Sequence, residues 1–278
     1  MGQSPESRHE RRRTIGDILR RHRVTASVAA DDAGETLGWS PERLHRVEKG
    51  QAVIRMVEAR NLLRLYGVAD QPLLDLVSRT DHWWAKYSDL VGESFESLLV
   101  LEDGATWLRT HQPSLVPGLL QTDRYAWELM TTLSDQPLEA IAQRVEVRAA
   151  RRAVLTREHQ PLHLAAVIDE AALRRPVGDT SVMREQIEWL IEAAGRPNVE
   201  IRVRTLDTGP DLAMGSSFHI FGFANGDPPV AQQELLDREQ FTDQSDDVQR
   251  YLRAFEHATV RSLNPEQSLA FMTTLVRA

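Results

Sequence analysis

Apolar residues recur at helical spacing through the first 80 residues, and a glycine, proline or polar break ends each run. Thr14 can cap a first helix, TIGDILRRHR, because a threonine hydroxyl accepts hydrogen bonds from the free N–H groups at a helix start. Ile15, Ile18 and Leu19 then lie on one face of that helix. Four further patterns predict helices from Ser27 or Ala29 to Leu37, from Ser40 to Lys49, over MVEARNLLRLYGV (56–68) and over QPLLDLVSRT (71–80).

The same spacing predicts which side chains these helices bury and where they begin and end. Leu44 and Val47 are three residues apart, so they share a face that packs on the first two helices. Gly38 breaks the second helix, and Asp70 caps the fifth. The fourth helix is predicted to bury Val57, Leu62, Leu63 and Tyr66. Five short helices predict a mainly α domain over residues 14–80.

Two segments of different character flank this domain. Residues 1–13 are polar and contain three consecutive arginines, Arg11–Arg13, which predicts a disordered basic arm. Residues 81–92 form an aromatic junction that contains Trp83 and Trp84. Adjacent side chains on a helix point about 100° apart, so this pair could bridge two surfaces. Packing between two domains is the interpretation we favour.

From residue 93 onward helical and strand patterns are mixed. Helices are predicted over SFESLLVLEDGATWLRTHQ (94–112), TDRYAWELMTTL (122–133), LEAIAQRVEVRAARRAVLTRE (138–158), SVMREQIEWLIEAAG (181–195) and DDVQRYLRAFEHATVRSL (246–263), with a short one after Asn264-Pro265. Strands are predicted over LHLAAVID (162–169), NVEIRVRTL (198–206), SFHIFGFA (217–224), VAQQELLD (230–237) and REQFTD (238–243). Residues 93–278 are therefore predicted to form a larger α+β domain with a small, mostly antiparallel sheet.

Composition excludes several classes of protein. The chain has 278 residues, which is enough for a small domain and a larger one, and it contains no cysteine. Disulfides, thiolate nucleophiles and cysteine-ligated metal sites are therefore excluded. No apolar run approaches the length of a membrane span, and the polar start MGQSPESRHERRR lacks the apolar segment of a signal peptide. We expect a cytoplasmic protein that does not contact membranes.

Charge is distributed unevenly along the chain. The formal net charge is −8, yet residues 1–64 hold 13 basic and 9 acidic side chains. A basic head on an acidic body is the asymmetry expected when only the head meets a polyanion. Only Lys49 and Lys86 among the basic residues are lysines, a bias that by itself carries no functional meaning.

The segment LGWSPERLHRVEKG (37–50) has the features of a DNA-recognition helix. Ser40 is a good helix cap, and Pro41 stands at the first helical position, where its missing N–H costs nothing. The face opposite the two apolar residues presents Glu42, Arg46 and Lys49, flanked by Arg43 and His45. A short helix entered through a glycine turn, with polar and cationic groups facing outward, suits the major groove of DNA. Taken alone, the same pattern also describes a solvated surface helix.

The order of the helices around this segment resembles the Xre, or lambda-repressor-like, helix-turn-helix family. The matching residues are Ile15, Leu19 and Arg20, then Leu37-Gly38, then Ser40, Leu44, Arg46, Val47, Glu48 and Gly50, and finally LLRLYGV (62–68). The resemblance implies a DNA-binding domain whose third helix reads an operator. Glu42 departs from the usual basic face of the family, and it could accept from a cytosine amino group.

The second half of the chain resembles the C-terminal domain of a group of actinobacterial regulators, formerly of unknown function and described as toxin–antitoxin antitoxin-like. The motifs VPGLLQTDRYAWELM, RVEVRAARRAVL and VIDEAALRRPVGDTSVMREQIEWL carry this resemblance, together with HWWAKY before them. It implies binding to a small partner protein encoded nearby. The candidate partner-binding residues are Trp83, Trp84, Gln121, Arg148 and Glu170.

Signals for catalysis or for a metal are weak. GxSxG and Walker-type motifs do not occur, and Pro161 between His159 and His163 argues against a helix that presents both to one metal. Asp169 and Glu170 follow a predicted strand, where they could act as general acid and base or simply cap a helix. We predict that the protein is not an enzyme and that it uses no cofactor.

The sequence therefore predicts a sequence-specific transcriptional regulator that binds operator DNA as a homodimer. Predicted base contacts come from Arg43, His45 and Arg46, with Glu42 also possible, and predicted phosphate contacts come from Ser40, Lys49, Arg20 and Arg11–Arg13. The alternative is a protein-interaction module in which the helix-turn-helix is degenerate and binds DNA weakly. A small-molecule effector is a third possibility, and the sequence does not locate its pocket.

Overall fold

A computed structural model describes residues 5–78, 83, 84, 87, 93–224, 227–235 and 239–277. The chain divides into two compact units, Met1–Gly104 and Ala105–Ala278. The division follows residue 104, whereas the predicted aromatic junction at 81–92 precedes it. Within that junction only Trp83, Trp84 and Tyr87 are described; Trp84 is buried and meets Trp83 edge to face.

The first unit is helical throughout its described residues. Its helices are α1 (Pro5–Thr25), α2 (Ala30–Thr36), α3 (Pro41–Glu48), α4 (Met56–Leu65), α5 (Gln71–Ser78) and α6 (Glu93–Gly104). The five predicted helices correspond to α1–α5, but α6 makes a sixth helix in the same unit. The predicted cap at Thr14 is wrong, because Thr14 lies inside α1 and its hydroxyl donates to the Glu10 carbonyl at 2.9 Å. The prediction of a disordered arm is wrong for residues 5–13, because α1 begins at Pro5. Residues 1–4 lie outside the described part of the chain.

The core of the first unit follows the predicted faces with one exception. Ile15, Leu19, Leu44 and Val47 are buried as expected. Val57 was predicted to be buried, and it is 66% exposed. The buried face of α4 is instead formed by Ala59, Leu62, Leu63 and Tyr66. These positions follow the i, i+3, i+4, i+7 spacing of one helix face, which leaves Val57 on the other side.

Two glycines let α1 approach the end of α3 closely. A Cβ atom on Gly16 would lie 2.5 Å from the carbonyl oxygens of Val47 and Glu48. Gly50 has φ +69°, and a Cβ atom there would lie 2.7 Å from the backbone nitrogen of Arg13. Only residues without a side chain allow this contact. The two helices are therefore packed backbone against backbone at this point.

The second unit is built on one mixed six-stranded sheet in the order β3-β2-β1-β4-β5-β6. The strands are β1 (Trp107–Gln112), β2 (His163–Asp169), β3 (Val199–Arg204), β4 (Phe218–Gly222), β5 (Val230–Glu234) and β6 (Glu239–Thr242). Strands β1, β2 and β3 are parallel to one another, and β4, β5 and β6 add antiparallel pairs. The α+β class is confirmed, while the sheet is neither small nor purely antiparallel, because two of the five pairs among its six strands are parallel.

Strand β1 was the main error in predicting the elements. Residues 94–112 were predicted to form one helix, but α6 ends at Gly104 and β1 begins at Trp107. The segment from Trp107 to Gln112 pairs with β2 on one side and with β4 on the other. Pairing with two distant strands decides its conformation, and a local pattern cannot report such contacts.

The helices of the second unit cover the sheet and one of its edges. They are α7 (Asp123–Leu133), α8 (Leu138–Arg151), α9 (Glu170–Arg174), α10 (Thr180–Ala194), α11 (Ser245–Arg261) and α12 (Pro265–Arg277), with short 3-10 turns at Gly118–Leu120 and Arg152–Leu155. Helix α11 packs on the sheet face that carries Phe218 and Ile220. At the outer edge of β3, the Val203 N–H donates to Ser268 Oγ, and the Val203 carbonyl accepts from the Leu263 N–H. These bonds satisfy an edge that would otherwise be open to pairing.

Candidate nucleic-acid interface

The turn between α2 and α3 has the predicted chemistry. Gly38 has φ +67°, and the Trp39 N–H donates to the Gly34 carbonyl, which ends α2. Ser40 then caps α3, because its hydroxyl accepts from the Arg43 N–H at 3.3 Å. Pro41 occupies the first helical position. Both the predicted break and the predicted cap are confirmed, and together they fix where α3 begins.

The outer face of α3 is polar and accessible. Glu42, His45 and Lys49 are exposed, and Arg46 is half-buried. Arg20 on α1 is also exposed. The opposite side of α3 is covered, with Leu44 and Val47 in the apolar core. This arrangement leaves one continuous face of α3 available to a ligand.

Arg43 does not lie on that outer face, and the prediction that it faces outward is wrong. Its side chain is 7% exposed, with Nη2 3.5 Å from Glu58 Oε1 and 3.9 Å from Glu96 Oε2. Its guanidinium lies 4.7 Å from the centre of the Trp39 ring. Residues four apart share a helix face, so the spacing from Arg43 to the buried Val47 carried the signal that sequence reasoning missed.

Glu48, the last residue of α3, is buried and ties this helix to α1. Arg23 Nε donates to Glu48 Oε1 at 2.6 Å, and Arg23 Nη2 donates to Glu48 Oε2 at 3.0 Å. A bidentate pair of this kind constrains orientation as well as distance. The hydrogen bond to Glu48 raises the pKa of Arg23, so the guanidinium stays charged. The end of α3 is thereby held at a fixed angle to α1.

The three consecutive arginines before the first core residue have different environments. Arg12 is buried, and its Nη1 lies 3.3 Å from Asp103 Oδ2 while Nη2 donates to the Val100 carbonyl at 3.3 Å. Arg13 is exposed and Arg11 is half-buried. The prediction that all three contact phosphates is therefore wrong for Arg12, whose side chain faces the protein interior.

A second polar pair joins the end of α1 to the start of α5. His22 Nε2 lies 2.8 Å from Asp70 Oδ2, and Asp70 Oδ1 accepts from the Leu73 N–H at 2.9 Å. The hydrogen bond from His22, followed by the one from the Leu73 backbone, lowers the pKa of Asp70. The predicted cap at Asp70 is confirmed, and the residue has the additional task of binding α1.

The partner-binding candidates in the second unit make internal contacts. Gln121 is buried and donates to the Val116 carbonyl at 2.8 Å, while its Oε1 accepts from Arg148 Nη1 at 2.5 Å. Glu170 is buried and accepts from Arg174 Nε and from the Leu206 N–H. These contacts hold two loops in place, so the burial of Gln121 and Glu170 does not favour a role in partner binding.

A charged network lies at the carboxyl ends of the parallel strands. Asp169 Oδ2 lies 3.0 Å from Arg204 Nη1, and Arg204 Nε lies 2.5 Å from Asp211 Oδ2. Arg204 also donates to the Gly209 carbonyl. His111 lies beside this network, with Nε2 3.7 Å from Asp169 Oδ1 and Nδ1 2.8 Å from the Ser216 carbonyl oxygen. These contacts hold the loop between β3 and β4 in place. Sequence reasoning missed His111 because residues 94–112 were assigned to a helix.

The sheet face opposite the one covered by α11 carries a row of buried polar side chains. Thr110, His219 and Gln232 stand opposite one another on β1, β4 and β5. Among the described residues His219 Nδ1 and Gln232 Oε1 have no hydrogen-bond partner. Burial, reinforced by the positive charge of Arg151, lowers the pKa of His219 to about 3. His219 is therefore neutral at physiological pH.

Metal sites and membrane-spanning helices are not found within the described ranges. No group of three or more histidine, aspartate or glutamate side chains there could hold a metal ion. None of the described helices combines the length and the apolarity needed to cross a bilayer. A groove of about 360 Å³ lies beside α11, and its lining includes Phe218, Gln233, Thr242 and Tyr251.

Comparison with known families yields two matches that together cover most of the chain. Residues 95–274 match the model described as a domain of unknown function (DUF5753). Residues 14–77 match the model described as a helix-turn-helix domain. No curated protein and no solved structure matches the chain. The second match begins inside α1 and ends inside α5, so it includes the capped helix α3 and its accessible face.

Proposed function

Since the chain belongs to the family described as a domain of unknown function (DUF5753) and carries a helix-turn-helix domain ahead of it, we propose that it is a sequence-specific transcriptional regulator. The observation that carries this proposal is α3, a helix with one accessible polar face and one buried face. Its position is fixed at both ends by Ser40 and Glu48. A short helix that is held on one side and accessible on the other suits insertion into a major groove.

The contacts differ from those that the sequence suggested. His45 and Arg46 are the proposed base-reading residues, and Glu42 is the third, because all three belong to the accessible face of α3. An arginine can make a bidentate contact to guanine, and a carboxylate can accept from cytosine. Arg43 is removed from the set because its guanidinium is buried between acidic side chains.

Phosphate contacts are assigned to side chains at the margins of this face. Ser40 and Lys49 lie at the two ends of α3, and Arg20 and Arg13 are exposed on α1. Positive charge in this position binds the DNA backbone without reading its sequence. These residues should therefore set overall affinity and its dependence on salt, while α3 sets sequence preference.

We further propose that two copies bind a pseudo-palindromic operator. Helix-turn-helix dimers place their recognition helices one helical turn of DNA apart, about 34 Å. One α3 helix can contact only a few base pairs, and a second copy supplies the remaining specificity. A partner protein bound by the second unit would act on this DNA affinity through linkage.

The experiment is a selection of fragments from sheared genomic DNA by the purified full-length chain. The selection is repeated with a His45→Ala/Arg46→Ala double variant and with Arg60→Ala, which removes an exposed charge on α4. We expect a shared palindromic site to be enriched by the wild type and by Arg60→Ala, and to be lost in the double variant. Each lost base contact should cost about 1–3 kcal/mol of specific binding.

Two other outcomes would overturn the proposal. Equal enrichment of the same site by the double variant would show that α3 does not read the bases. Enrichment of no site by the wild type would favour the alternative hypothesis, a protein-interaction module with a degenerate helix-turn-helix.

A further inference from the structure

Helix α6 lies within the DUF5753 match by sequence, but its contacts place it in the first unit, with the helix-turn-helix. The DUF5753 match begins at residue 95, so it includes nearly all of Glu93–Gly104. The structure nevertheless places this helix in the first compact unit, packed on α1. The helix-turn-helix match ends at residue 77 and does not reach it. The family boundary therefore separates α6 from the helices on which it is packed.

The contact between α6 and α1 is a buried ion pair. Arg12 and Asp103 approach to 3.3 Å, with side chains that are 2% and 5% exposed. Arg12 also donates to the Val100 carbonyl. Removing one partner of such a pair leaves a charge in the interior, so both residues act together. Arg12 itself precedes the helix-turn-helix match, which begins at residue 14.

A second contact runs from α6 to the recognition helix. Glu96 Oε2 lies 3.9 Å from Arg43 Nη2, whose other acidic neighbour is Glu58 on α4. Arg43 is the third residue of α3, one turn after the Ser40 cap. Its guanidinium also lies over the Trp39 ring, at the turn that leads into α3. Helix α4, helix α6 and the turn before α3 therefore all contact the Arg43 guanidinium. This contact lies at the N-terminal end of α3, the end that meets base edges in helix-turn-helix complexes.

Helix α6 is also joined closely to the second unit along the chain. Only Ala105 and Thr106 separate Gly104 from β1, which lies between β2 and β4 in the sheet. The Thr106 N–H donates to the Gly222 carbonyl of β4 at 2.8 Å.

We infer that α6 is a working part of the DNA-binding unit, and that Arg43 is a positioning residue through which Glu96 orients the recognition helix. The inference rests on the proposed DNA binding, and it adds a specificity-determining group that lies inside the DUF5753 match. Arg43 touches no base in this arrangement. It holds the first turn of α3 against α4 and α6, so that His45 and Arg46 present their side chains at a fixed angle.

The test is a double-mutant cycle in the full-length chain, read out with the selected operator and with unrelated DNA. The variants are Glu96→Gln, Arg43→Gln and the combination of both. Glu35→Gln is the matched control, because it removes one negative charge from an exposed position on α2 of the same unit. Comparison with this control separates the loss of a contact from the general gain in DNA affinity when an acid is removed.

Glu96→Gln is expected to weaken operator binding about five- to ten-fold while binding to unrelated DNA follows the Glu35→Gln control. The slope of affinity against salt should stay at its wild-type value, because the phosphate contacts are intact. In the Arg43→Gln background, Glu96→Gln should have no further effect, since Glu96 acts through Arg43. A residue with a merely structural role would weaken both kinds of DNA binding equally.

Hydrogen exchange in the DNA-free chain provides a second readout. The amides of α3 that are hydrogen-bonded within the helix should exchange several-fold faster in Glu96→Gln than in the wild type, with no change in Glu35→Gln. If Glu96→Gln matches Glu35→Gln in both measurements, the inference is overturned while the proposed function stands. If the wild type selects no operator, the proposed function fails, and unchanged exchange in Glu96→Gln would then overturn the inference independently.

Discussion

Both units bury arginine–carboxylate pairs, and the pairs have different consequences in the two places. In the first unit Arg23 and Arg43 hold a helix from its inner side, and the outer face of that helix stays accessible. In the second unit Arg204 holds a loop at the carboxyl ends of three parallel strands. The same interaction therefore fixes the position of helix α3 in one unit and the position of a loop in the other. What surrounds a buried pair determines its role.

The largest effect is expected from breaking the pair in the second unit. Arg204→Ala leaves Asp169 and Asp211 without their shared guanidinium, and it should lower the free energy of unfolding by about 3–5 kcal/mol. Thermal unfolding of the full-length chain measures this loss. Arg202→Ala is the control, because its pair with Glu200 is more exposed and should contribute about 1 kcal/mol or less. A loss below that of the control would show that the network does not stabilise the unit.

In the first unit, the addition of one methyl group is expected to disrupt the packing of α1 on α3. Gly16→Ala places a Cβ atom 2.5 Å from two carbonyl oxygens of α3, and the resulting overpacking should cost about 1–3 kcal/mol. Operator affinity should fall with stability, because α3 is displaced from α1. Gly34→Ala is the matched control, since its nearest neighbours lie at 3.6 Å and alanine favours a helix. Equal unfolding temperatures for the two variants would contradict the close approach of α1 and α3.

Acid should weaken the second unit first. The folded state keeps His219 neutral with a pKa of about 3, whereas the unfolded chain protonates it near the ordinary histidine value of 6.5. Stability is therefore fully present above pH 6.5 and is lost as the pH falls toward 3, by about 2 kcal/mol at pH 5. The free energy of unfolding should change less between pH 7 and pH 5 in His219→Gln than in the wild type. The control is His163→Gln, at the exposed end of β2, which should keep the wild-type pH dependence. A wild-type curve that is flat over this range would contradict the neutral state of His219.

The smallest effect concerns Asp70 in the first unit and appears at lower pH. The lowered pKa of Asp70 means that its contribution to stability is present above the ordinary aspartate value of 3.8 and is lost as the pH falls through the folded value. Asp70→Ala should cost about 1 kcal/mol at neutral pH through loss of the α5 cap. The difference between wild type and variant should shrink below pH 3.8. Denaturant titrations at pH 7 and pH 3 measure this difference in the free energy of unfolding. The same difference at both pH values would show that the charge of the Asp70 carboxylate does not contribute.

The helices of the first unit could be predicted because their signals are local. Ser40, Asp70 and Gly38 cap or end helices through backbone groups a few residues away, so the sequence contains the complete interaction. The environment of Arg43 depends on Glu58 and Glu96, which come from two later helices. No local pattern reports such contacts, and the residue was therefore taken for a base-contacting side chain.

The sequence by itself determined the caps at Ser40 and Asp70, the break at Gly38, most of the apolar faces of the first unit, the accessible polar helix α3 and the α+β class of the second unit. Only the tertiary structure decided that residues 107–112 form a strand between two distant partners, that Arg12 and Arg43 face inward, and that α6 packs with the helices before it. The physical reason is the range of the interactions. Caps and helix periodicity act within a few residues, whereas strand pairing and buried ion pairs join residues that are far apart in the chain.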